Sequence, residues 1–230
     1  DLVTTPSGDL VAMVHCNNGA SELAAWAGLF GRFAVTAGSP RGSDAVFELL
    51  FTEALEGEAD AGGLLAYNHL AGEPIAGLDE GRPLLVRTPH SRFSLANVMR
   101  AQLYGVFGTL ALGMRVLADE GVGLDRMFAH GGMFRTAGVA QRFLAGALDA
   151  PVAVGETASE GGAWGIAVLA GYAASGTALS LGEYLDERVF RDAEIVTIDP
   201  VPADVAGFAA YLDRYRAGLA VEAAAVTALR

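Results

Sequence analysis

A chain of 230 residues, 52% hydrophobic and 18% charged, has enough apolar surface to bury a real core and is a globular rather than a disordered protein. Its formal net charge of -12 offers no clustered cations to grip a phosphate backbone, so nucleic acid is not an expected partner. All 15 cationic residues are arginine, and without a lysine the chain cannot form a Walker-type phosphate loop.

Taken from its start, "DLVTTPSGDL" has no basic or apolar leader pattern, so no signal peptide is read, and the chain looks like a piece of something longer. "DLVAMVHC", residues 9–16, is a β-branched apolar run that ends at Asn17, Asn18 and Gly19, which predicts a strand. Cys16 is the single cysteine, which excludes an intrachain disulfide and a CxxC pair and points to a reducing, cytoplasmic setting. Ser21 is placed to cap a helix, "SELAAWAGLFGRF", and "SDAVFELLFTEALEG" predicts a second, with the apolar faces of both assigned to the core.

Two short strands, "GGLLAYN" and "RPLLVRT", are predicted on either side of "HLAGEPIAGLDEG", whose glycine and proline density argues against regular structure. Ser94 is placed to cap a long helix that stops at Gly121. The second half alternates more regularly. A strand "DRMFAHGG" is followed by a helix "TAGVAQRFLAGAL", a strand "APVAV", a helix "SEGGAWGIAVLAGYAAS", a helix "LGEYLDERVF", a strand "AEIVTI" and a terminal helix behind Pro200 and Pro202. That order predicts an α/β layer structure. The uncharged run at residues 161–182 has the length of a membrane span, but its glycines, Ser175, Thr177 and Ser180 make it too weakly apolar, so a tightly packed helix and a loop are expected and no membrane partner is.

In open α/β sheets ligands sit beyond the carboxyl ends of strands, which directs attention to the turns after "DRMFAH" and "APVAV". Gly131 and Gly132 offer a backbone without side chains, and Thr136 is placed to cap the next helix, whose amides would face an anion. Glu156, Thr157, Ser159, Glu160, Gly161 and Gly162 form the second turn, a candidate opposite wall. A glycine pair after a strand also serves as a plain tight turn, and both readings stay open on spacing alone. The four histidines, at 15, 69, 90 and 130, lack metal-site spacing, so no metal ligand is assigned. Carboxylates such as Glu48, Glu53, Asp119, Glu120, Asp186, Glu187 and Asp213 read as solvated faces, and no catalytic residue is assigned.

The order "FAHGGMFRTAGVAQRFLAGALDAPV" then "ETASEGGAWGIAVLAGYAA" resembles the C-terminal half of carbohydrate kinases of the FGGY family, and most of all its xylulokinase-like branch. Upstream, "LLAYNHLAGEPIAGLDEGRPLLV" is similar to the family's strand, Gly-Glu loop and strand, and "SLANVMRAQLYGVF" to its second signature. The resemblance implies the ribonuclease-H-like or actin-like ATPase fold, with residues 1–230 as the nucleotide-binding C-terminal domain. It implies ATP as the phosphoryl donor, Mg2+ held mainly by the phosphates and by an N-terminal half, and a ketopentose bound mainly by that half, which is absent from these residues together with the acid–base aspartate.

By the same resemblance Gly131 and Gly132 lie against the α-phosphate and ribose, Thr136 sits near the adenine, and Gln141 matches a recurrent glutamine. Glu160 and Gly161 fall on the opposite wall. The sequence departs from the family at Pro74, where Arg often follows the Gly-Glu pair, at Tyr104, where a Glu is usual, and at His130, where Gly or Asp is more common. Without its other half the chain is expected to be inactive as a kinase and, through an unpaired sheet edge, prone to form homo-oligomers. The alternative is a vestigial actin-like half-domain that acts as an interaction module. A dinucleotide-binding fold ranks behind both, because GxGxxG is missing after the first strand.

Overall fold

From Ala96 to Thr109 every residue of one helix is buried, which makes that helix the axis of the molecule. The computed structural model describes residues 1–155 and 161–229. This central helix, α3 (Leu95–Asp119), starts at Ser94, whose hydroxyl accepts the Asn97 N–H, and it ends at Glu120 ahead of Gly121 at φ 73°. Both boundaries match their expected signals. Among the described residues α3 is the one helix long and apolar enough to cross a membrane, and its N-terminal part, from Ala96 to Thr109, is buried by the rest of the chain.

In chain order α3 is preceded by a hairpin of β1 (Leu2–Thr4) and β2 (Leu10–Ala12), helices α1 (Ser21–Thr36) and α2 (Ser43–Ala54), and the antiparallel pair β3 (Leu65–Tyr67) and β4 (Leu84–Val86). It is followed by β5 (Met127–Phe128), α4 (Val139–Leu148), β6 (Val152–Gly155), α5 (Gly161–Ser175), α6 (Leu181–Tyr184), β7 (Ile195–Ile198) and α7 (Pro202–Ala228). β6 is the middle strand of the last sheet, parallel to β5 and antiparallel to β7, with Val152 opposite Met127 on one side and Ile198 on the other.

α2, β3, α4 and α7 pack around α3. β3 lies between α3 and α7, and tyrosines fasten it: the Tyr211 hydroxyl accepts the Ala66 N–H at 3.2 Å, and the Tyr67 hydroxyl donates to the Tyr215 carbonyl at 2.8 Å. The core therefore draws on both ends of the sequence, joining Leu50 and Phe51 of α2 to Phe143 of α4 and Phe208 of α7.

Several local expectations are corrected. The first strand ends at Ala12 instead of running to Cys16, and it pairs with residues 2–4 across a turn at Gly8. Ser21 is the first helical residue of α1, and Ala20 stands at the cap position without a side-chain bond. The Gly-Glu loop is ordered after all: Pro74–Ala76 form a 3-10 turn, closed by paired backbone bonds between Glu73 and Leu78. Proline fits there because the first turn of a helix needs no donor. The helix expected to pack tightly, α5, is exposed or half-buried along the length described for it.

Candidate functional site

After β5 the Ala129 N–H still reaches the Ala153 carbonyl, and the chain then leaves the sheet at exposed His130. Gly131 takes φ 113°, a conformation that strains any residue with a Cβ, and Gly132–Arg135 form a 3-10 turn in which the Phe134 N–H meets the Gly131 carbonyl. A Cβ built on Gly131 or Gly132 would find nothing within 4 Å. The backbone here faces open space rather than a packed neighbour.

That space is a cavity of about 890 Å³. One wall is the turn itself, residues 130–137, so the structure brings Gly131, Gly132 and Thr136 together. The other is one face of α2, where Asp44, Phe47, Glu48, Phe51 and Thr52 recur at helical spacing, and Ala20 and Leu23 extend it to the N-terminal turn of α1. In that turn of α1, burial pushes the Glu22 carboxyl above the usual range. Phe47 and Phe51 meet edge to face at 6.1 Å, and with Met133 and Phe134 they give the cavity an apolar lining. Charge is divided between the walls: Asp44 and Glu48 on α2, Arg135 on the turn. A half-open cleft of this size, apolar with a few polar groups, has room for a small-molecule ligand.

The sequence did not point to α2 as a wall. Its apolar periodicity marks an inward face but does not distinguish a packed face from one that borders a cavity, and Glu48, read as solvated surface, stands on that border.

The remaining expected site residues fall elsewhere. Thr136 closes the 3-10 turn in extended geometry and does not cap α4; the cap position belongs to Gly138 at φ 78°, with no side-chain bond. A left-handed turn two residues beyond Thr136 separates its hydroxyl from the first amides of α4. Gln141 is buried, and its side-chain amide donates to the Val152 carbonyl at 2.7 Å and the Val196 carbonyl at 2.8 Å, so it ties α4 to β6 and β7 and does not face the cavity. Glu156, Thr157, Ser159 and Glu160 lie outside the described residues, and Gly161 opens α5.

Behind the turn stands a charge cluster that no motif announced. Asp204 of α7 is 3% exposed at its side chain, pairs with the buried guanidinium of Arg100 on α3, and accepts the Arg142 Nε–H of α4 at 2.6 Å. Arg100 also donates from Nε to the Tyr104 hydroxyl at 3.1 Å, which in turn donates to the Ala59 carbonyl. Burial pushes the Tyr104 phenol above its ordinary range, the Arg100 charge opposing. Glu73, fully buried, accepts the N–H groups of Asn17 and Asn18 at 2.9 and 3.2 Å and so holds the segment that leads into α1. Glu222 is also fully buried, 3.5 Å from His69 Nδ1, with one oxygen on the Arg82 N–H. Among the described residues no three His, Cys, Asp or Glu side chains gather as a protein-only metal cage.

The sequence profile of the FGGY family of carbohydrate kinases, C-terminal domain, matches residues 1–174. The chain belongs to the FGGY family. Its structure is similar to a xylulose kinase from Rhodospirillum rubrum (TM-score 0.61, 22% identity, 87% of this chain and 37% of that one). It is also similar to a ligand-bound xylulose kinase from Lactobacillus acidophilus (TM-score 0.62, 19% identity, 89% and 39%) and to a Plasmodium falciparum glycerol kinase with ADP (TM-score 0.52, 14% identity, 82% and 37%). No curated protein matches. The chain thus has the actin-like ATPase fold of FGGY sugar kinases and spans less than two fifths of the length of these solved relatives. Tyr104, beside the Arg100–Asp204 pair, packs against Phe143, Phe208 and Tyr211.

Proposed function

We propose that this chain is the ATP-binding domain of a carbohydrate kinase that phosphorylates a ketopentose such as xylulose or a related sugar, in the cytoplasm, with the nucleotide in the cavity between α2 and the turn at residues 130–137. The observation that carries this is the bare backbone at Gly131 and Gly132, which faces open space along a half-open cleft of about 890 Å³. In a family of sugar kinases, xylulose kinases among the similar structures support the substrate class, while gluconate and glycerol kinases stand at comparable distance.

When bound, ATP supplies the γ-phosphoryl group and its phosphates carry most of the charge that Mg2+ neutralises. The chain's own residues position it. Gly131 and Gly132 let the backbone approach the α-phosphate and ribose, Thr136 offers a hydroxyl at the base, and Phe47, Phe51, Met133 and Phe134 exclude water from its faces. Arg135 on the turn and Asp44 and Glu48 on α2 orient the ligand, because a polyphosphate is repelled from the carboxylate wall. Gln141 holds the base of α4 against β6 and β7 and so fixes the turn. Mg2+, which needs only one or two carboxylates beside phosphate oxygens, would be held mainly by the phosphates and the sugar-binding half. The group that takes the sugar's hydroxyl proton is assigned outside residues 1–230, on a sugar-binding half.

Calorimetry with ADP, and with NAD as control, tests this. ADP is expected to bind and NAD not. Gly132→Val adds a branched side chain into space that holds no protein atom, so binding should be lost while far-UV circular dichroism stays unchanged. Unaltered ADP affinity in that variant overturns the site, and absence of ADP binding to the parent chain returns the domain to an interaction module.

A further inference from the structure

The turn at residues 130–137 runs between two supports, the sheet at one end and α4 at the other. At one end β5 is paired with β6; at the other the chain enters α4 through Gly138, and the first turn of α4 closes with the Arg142 N–H on the Gly138 carbonyl at 3.0 Å. The side chains of that first turn point to opposite supports. Gln141 is fastened to the sheet, and Arg142 donates from Nε to Asp204 of α7 at 2.6 Å.

α7 lies beyond the residues matched by the family profile, yet it approaches α4 so closely that a Cβ on Gly146 would stand 3.0 Å from the Asp204 Cβ. Asp204 cannot shift to follow a moving partner, because its other oxygen is held by buried Arg100. We propose that Arg142 and Asp204 are positioning residues for the nucleotide turn, through which α7 sets the placement of Gly131 and Gly132. This rests on the nucleotide reading of the cavity for its functional consequence, though not for the linkage itself. Arg142 is suited to the task because its side chain is 37% exposed, so cutting its bond leaves the buried Arg100–Asp204 pair intact.

The test is made on the full chain labelled with 15N. In Arg142→Gln the amide resonances of Gly131 and Gly132 are expected to move without nucleotide present, and ADP affinity to fall about tenfold, with the melting temperature little changed. Arg142→Lys, which restores the cation, is expected to recover most of the affinity. Asp204→Asn separates positioning from direct contact with phosphate: it leaves the Arg142 charge in place, so positioning predicts weaker ADP binding, whereas an Arg142 that touched phosphate would be released and bind more tightly. Should Asp204→Asn fail to fold, Arg142→Gln still decides. Unmoved glycine resonances, or undiminished ADP affinity in Arg142→Gln, overturn the proposal. A parent chain that binds no ADP while its glycine resonances respond to Arg142→Gln overturns the nucleotide reading and upholds the linkage.

Discussion

The Cys16 thiol is half-buried, and burial, reinforced by the negative charge of Glu73, pushes it from an ordinary value of 9.0 up to about 11. A thiol reacts as its thiolate, so alkylation of the folded chain by iodoacetamide should be slow at neutral pH and rise about tenfold per pH unit without levelling before pH 10. A plateau near pH 9 would mark an unperturbed thiol and contradict the assigned environment. The linkage has a definite sign: the unfolded thiol ionises first, so the contribution of Cys16 to stability is whole below about pH 9 and declines as pH rises toward 11. From sequence, Cys16 was legible only as a count of one, because Glu73 is far from it in the chain. Gln141 is a similar case. Its type and place in the helix were evident, but the carbonyls of Val152 and Val196 that engage it become neighbours only when the sheet forms.

Helix boundaries were legible wherever the signal is local. Ser94 is a clear instance: its hydroxyl accepts the Asn97 N–H and satisfies one of the donors that the first turn of α3 would otherwise leave without an intrahelical partner. Ser94→Ala should therefore cost about 1 kcal/mol in urea unfolding, within the range for lost caps, with an unchanged slope. A cost below about 0.3 kcal/mol would mean that water replaces the cap freely. Thr136 taught the opposite lesson at the same scale. Its residue type suits a cap, but Gly138 takes the left-handed conformation and becomes the entry to α4 in its place. The Gly-Glu loop was misjudged because composition counts breakers without their positions: Pro74 at the start of its turn and Gly77 at φ 69° at the end are where a 3-10 turn accepts them. α2 was recognised as an element and missed as a wall, since what faces it comes from residues 130–137.

At the scale of the molecule, the profile of the family ends at residue 174 while the core does not. α7 contributes Phe208, Tyr211, Leu212 and Tyr215 to that core, each no more than 6% exposed, and the Tyr211 hydroxyl bridges the backbones of β3 and α3. Burying four such side chains is worth on the order of 6–12 kcal/mol, which equals the whole stability of an ordinary domain. Removing α7 also strips Asp204 from Arg100, and an arginine side chain 3% exposed would be left without its carboxylate, a penalty of about 3–5 kcal/mol. A chain ended at Ala174, although it keeps every residue the family profile matches, should therefore not fold. The measurements are near-UV circular dichroism and thermal melting beside the full chain, with retained tertiary signal and a cooperative transition as the contrary result. If α7 instead only covered a finished domain, the shorter chain would melt as a unit, a few degrees lower. The packing argues against that outcome because β3, one strand of a two-stranded pair, has α3 on one face and α7 on the other, and a pair of strands bared on one side is marginal in water.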